Sequence, residues 1–148
     1  MTRWPLLVSV TVLLMACGST SNATSDADAA QLSLGQQVYQ TNCASCHGLK
    51  GEGTVADWKQ PNQDGSFPPP PHDDTGHTWH HSDAQLYGIV ANGGAMPKSA
   101  MPAFKDILSH EEIVATLEYI KTFWSDETRA AQAQVSQEQP YPPIAPDQ

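Results

Sequence analysis

Cys43-Ala44-Ser45-Cys46-His47 is the stretch on which the reading of this chain turns. Two cysteines with two residues between them can each add through sulfur to one vinyl group of a porphyrin, and a histidine directly after the second is carried beneath the iron. The motif therefore predicts one covalently attached haem c, bonded through Cys43 and Cys46, with His47 as an axial iron ligand. A redox dithiol needs no adjacent histidine, and a zinc site needs further ligands at matching spacing. No other cysteine lies nearby, the third being Cys17.

Whether the chain is exported is read from its other end. Arg3 precedes an apolar run from Leu6 to Met15 that is about half the length needed to cross a bilayer, so residues 1–16 read as a signal peptide rather than an anchor helix. The run closes Leu14-Met15-Ala16-Cys17-Gly18, similar to a bacterial lipobox, although Met15 stands where a small or β-branched residue is usual. Acylation of Cys17 accounts for the odd cysteine; ordinary secretory cleavage near Ala16 would leave it a free thiol. Residues 17–30, rich in Ser, Thr, Asp and Ala, read as a flexible tether between lipid and domain. The expected location is the periplasmic side of a bacterial membrane.

The chain carries 16 acidic against 7 basic residues, a formal net charge of −9, and loses one further positive charge, Arg3, with the signal peptide. That balance excludes nucleic acid as a partner and electrostatic adhesion to anionic lipid. Membrane attachment must then come from acyl chains, at about 0.8 kcal/mol per buried methylene.

Helical spacing organises the rest. Leu32, Gly35, Val38, Tyr39 and Asn42 fit one face of a helix starting near Ser33 as N-cap, which delivers the cysteines to the porphyrin. Glycine inside a helix costs about 1 kcal/mol relative to alanine, so Gly35 predicts a second helix crossing there with its backbone close. Ser109 and Glu112 form a capping-box pattern for that partner, whose stripe is Ile113, Leu117, Ile120 and Trp124, with Tyr119 expected near Gly35 and Tyr39. Ser82 caps a shorter helix that Asn92-Gly93-Gly94 ends, and Ser125 opens another running to about Ser136. The proline-bearing remainder reads as an extended tail. Residues 31–125 thus form one haem domain, and 126–148 a C-terminal extension of short helix and Pro-rich tail.

Two methionines, Met96 and Met101, could fill the second axial position. Here the chain resembles the class I c-type cytochromes from about Leu32 to Trp124. The marks are Gly35 and Tyr39, Cys43-x-x-Cys46-His47-Gly48, a proline in the following loop, Met101-Pro102-x-Phe104, and Tyr119-Ile120. The resemblance implies an all-α fold of three core helices wrapped with loops around one covalent haem, to which this chain adds its C-terminal helix. It also implies that Met101 rather than Met96 is the sixth ligand, and that a proline carbonyl within Pro68–Pro71, Pro70 or Pro71 being favoured, bonds the proximal histidine. His/Met ligation favours ferrous iron and leaves no open position for a substrate. The implied role is electron transfer between redox proteins, a donor and an acceptor, and not an enzyme. Lys50, Lys98 and Lys105 are candidates for a docking rim.

One feature departs from the family pattern. His72, His77, His80 and His81 crowd together with Asp73, Asp74 and Trp79. Imidazoles with carboxylates make a copper-binding redox module the alternative reading, against a hydrogen-bonded loop. A further alternative is a haem enzyme with an open coordination site acting on a small substrate.

Overall fold

A computed structural model describes residues 21–144; residues 1–16, Cys17 and the last four residues lie outside it. Among the described residues the regular structure is helical: α1 (Ser21–Asn42), α2 (Ala44–His47), α3 (Asp83–Asn92), α4 (His110–Lys121) and α5 (Asp126–Ser136), with one 3-10 turn at Thr78–His80. The all-α architecture that the resemblance implies is therefore observed.

One boundary differs. The helix expected to begin near Ser33 begins at Ser21, so residues 21–30, expected to be part of a flexible tether, are helical. No apolar stripe marks these residues, and Ser25–Ala30 are exposed. Ala27, Ala29 and Ala30 are nonetheless the best helix formers, and extending an existing helix escapes the cost of nucleating one.

The core is the crossing of α1 and α4. Val38 and Tyr39 from α1 meet Ile113, Leu117, Ile120 and Trp124 from α4 and the turn after it, all buried. Gly35 lies against the Ala115 carbonyl and Tyr119 Cβ, and the rings of Tyr39, Tyr119 and Phe123 pack within 5.1–5.6 Å of one another. The expected crossing at Gly35 is thus present. Ser109 caps α4 reciprocally: its Oγ accepts from Glu112 N at 3.2 Å while its own amide donates to Glu112 Oε2 at 2.8 Å. Ser82 and Gln85 repeat this box at α3, and Ser125 Oγ accepts from Thr128 N at α5.

α5 and the tail are stitched to the start of α3. Asp83 N donates to Ser136 Oγ at 3.0 Å, Ala84 N to Gln139 O at 3.1 Å, and Ser82 Oγ to Gln139 Oε1 at 2.9 Å. Buried Gln132 donates to Asp83 Oδ1 at 2.8 Å, and Lys121 pairs with the same carboxylate at 2.8 Å. The tail is irregular, as expected, yet docked: Tyr141 donates to Glu118 Oε1 at 2.8 Å. Replacing Gln132 by leucine leaves these acceptors short of a donor in a dry setting, so denaturant unfolding is expected to show a loss of about 1–3 kcal/mol.

Candidate functional site

α1 runs almost directly into α2, so the cysteines sit on one continuous turn: His47 N donates to Cys43 O at 3.0 Å and Gly48 N to Ala44 O at 2.9 Å. Cys43 is half-buried and Cys46 exposed, and neither is paired in a disulfide. Burial, and then the neighbouring Cys46, push the Cys43 thiol up to about 11. Tyr39 donates from its hydroxyl to Gly48 O at 2.8 Å, tying the end of this turn to the helix-crossing core.

His47 is buried, with Nδ1 2.9 Å from Pro70 O. A carbonyl can only accept, so the proton sits on Nδ1 and the Nε2 lone pair is free. Burial holds the imidazole below its ordinary pKa, against the opposing pull of the Pro70 carbonyl, which keeps it neutral near neutral pH. Of the four consecutive prolines, Pro70 is therefore the one in contact. The loop that carries it is braced on both sides: His72 N donates to Gly51 O at 2.6 Å, and Trp124 Nε1 donates to His72 O at 2.6 Å.

The methionine loop begins where α3 ends. Gly93 has φ of +88°, and a Cβ there would stand 3.0 Å from Met101 O, so both backbone angle and space call for glycine. Gly94 N donates to Met101 O at 3.2 Å, while Phe104 N and Lys105 N donate back to Val90 O and Ala91 O, each at 3.1 Å. The loop is thus folded back on α3, and Met101 packs half-buried against the core. Met96, on the same loop, is 56% exposed. Lys98 Nζ donates to the Asp64 carbonyl, joining this loop to the long segment that precedes the prolines. That bridge had no sequence signal, because a lysine–carbonyl contact leaves none.

The histidine cluster does not form the alternative metal site. His72 stacks on His47, His77 on Trp58 and His80 on Trp79, while His81 meets only the edge of His77. No three histidine, cysteine or carboxylate side chains are gathered to hold a metal ion among the described residues. Neighbours in sequence here point to separate aromatic partners, which is why the composition misleads.

The residues present do fit a haem. Two thiols lie on one turn, followed by a neutral imidazole with a free nitrogen, and a thioether stands on the loop after α3. Trp79 Nε1 and His77 Nδ1 are buried with no partner among the described residues, as suits polar atoms reserved for a cofactor's carboxylates.

A family model described as cytochrome c matches residues 32–124, more than half of the chain. The chain belongs to the cytochrome c family. This cytochrome accordingly carries one covalently bound haem c. It is also similar to the chloroplastic cytochrome c6 of Chlamydomonas reinhardtii, at 36% identity over 122 residues, which cover 78% of this chain and 66% of that relative. The cytochrome thus spans just under two thirds of that relative's length. α5 and the tail lie beyond the matched family segment. No helix among the described residues is long and apolar enough to cross a membrane.

Proposed function

We propose that this cytochrome is a single-electron carrier in which Cys43 and Cys46 form the thioether bonds and His47 and Met101 are the axial iron ligands. The observation that carries the reading is the contact of His47 Nδ1 with Pro70 O at 2.9 Å, since it aligns and buries an imidazole whose only free nitrogen is the one a metal needs. Half-burial of Met101 on a loop pinned to α3, against exposure of Met96, supports Met101 as the second ligand. The bound haem supplies the one-electron couple. The protein's part is to hold two strong ligands in place, keep solvent from the proximal side through Tyr39 and Trp124, and leave no coordination position for a substrate.

Exposed Lys50, Lys98 and Lys105 give a small positive set on an acidic body, a rim suited to docking redox proteins as donor and acceptor. The lipobox-like sequence supports an exported chain acylated at Cys17 and held on the periplasmic side of a bacterial membrane. One purification tests these readings together. The pigment is expected to stay with the polypeptide through acid-acetone extraction, the oxidised protein to show the weak band near the red end of the visible spectrum that marks methionine on ferric iron, and the intact mass to start at an acylated residue 17. Extraction of the pigment would contradict the thioether bonds, and rapid cyanide binding at rest without that band would contradict the ligand assignment.

A further inference from the structure

His72 supplies neither a covalent bond nor an axial ligand, yet of the clustered histidines it is the one set against the assigned proximal ring. Its ring lies over that of His47 with centroids 4.0 Å apart and planes 20° from parallel. The stack is held from several directions. His72 Nδ1 is 2.9 Å from Thr78 Oγ1, the Tyr39 ring stands edge-on with centroids 6.2 Å away, and the His72 amide and carbonyl are both fixed by the hydrogen bonds to Gly51 and Trp124. Thr78 is itself buried and begins the 3-10 turn, so the tether is anchored rather than loose.

Pro70, two residues earlier, already holds His47 by its Nδ1 proton. A carbonyl accepts over a broad range of directions, so that bond fixes the tautomer and depth of the ring more firmly than its plane. A flat face packed against the imidazole fixes the plane. Offset-stacked rings prefer this geometry, and burial leaves little room to rotate out of it. We propose that His72 is a positioning residue for electron transfer, its stacked ring setting the plane of the His47 imidazole and hence the orientation of that ligand about its bond to iron. The inference rests on His47 as the axial ligand. It makes Pro70-Pro71-His72 a single clamp, with one end bonding the proximal ring at its edge and the other covering its face. A ligand plane fixed in advance has little to reorganise when the electron arrives. An aliphatic residue could fill the same volume, but it presents no flat face and cannot be tied to Thr78.

The test uses the full holoprotein and three variants, His72→Leu, His72→Phe and Thr78→Val, read by low-temperature EPR of the ferric form and by reduction potential. Leucine is expected to shift and broaden the g values and to change the electron-exchange equilibrium constant several-fold; a tenfold change corresponds to about 59 mV for one electron. Phenylalanine keeps the flat face but loses the Thr78 tether, and is expected to move the g values much less than leucine does. Native g values in His72→Leu would overturn the proposal, as would displacement by phenylalanine equal to that by leucine. Should the leucine variant fail to retain haem, Thr78→Val decides: broadened g values support the clamp, and unchanged ones overturn it. A native protein with no low-spin ferric signal would instead overturn the assignment of His47 itself.

Discussion

Met101→Ala is expected to lower the reduction potential by on the order of a few tenths of a volt, because axial ligands set haem potentials over about 0.8 V and a thioether is the ligand that raises them. Removing it also opens a coordination position, so the ferric variant should take up cyanide rapidly where the native protein does not. Met96→Ala is the control. Met96 is 56% exposed, whereas Met101 packs against the core on a loop whose backbone is tied to Gly94. Its removal should leave both the potential and cyanide uptake unchanged. Redox titration of the two variants side by side separates them, and an effect confined to Met96→Ala would reverse the assignment.

The largest loss of stability is expected from Gly35→Val. A Cβ at this position would drive into the Ala115 carbonyl and stand 2.9 Å from Tyr119 Cβ, so the obstacle is mainly helix backbone and cannot swing aside. The helices must separate along the crossing that buries Tyr39, Ile113 and Leu117. Overpacking of a core ordinarily costs about 1–3 kcal/mol, and a clash with backbone belongs at or above the top of that range. Equilibrium unfolding of the holoprotein should therefore show a loss of about 3 kcal/mol or more, with Gly35→Ala affected in the same direction. A loss under about 1 kcal/mol would mean that the crossing yields.

What could be read from the chain and what could not divide along physical lines. The caps at Ser82, Ser109 and Ser125 were legible because a helix start is a local event, decided by a hydroxyl and an amide three residues apart. Gly35 was legible because a glycine in a helical stripe has few reasons to be there other than close approach. The start of α1 was misplaced because Ser25–Ala30 are exposed, and periodicity is silent where nothing is buried. Choosing Pro70 among four prolines needs the path of the loop, since each offers the same carbonyl. The histidines were legible as an anomaly but not as a function: composition grouped them, while the fold sent each to a different ring. Of the candidate site, the cysteine pair and its histidine could be named from spacing, whereas the clamp around that histidine is tertiary and could not.

The hydrogen bonds that fasten α5 and the tail to the start of α3 join Asp83 to Ser136 and Ser82 to Gln139, residues 53 and 57 apart. Closing so wide a loop is slow relative to forming the helices it joins. The root of α3 is therefore not sealed until α5 and the segment after it have folded back onto it. Residues 136–139 thus act as a latch on the helix that leads into the methionine loop, so loosening them is felt on the Met101 side of the fold.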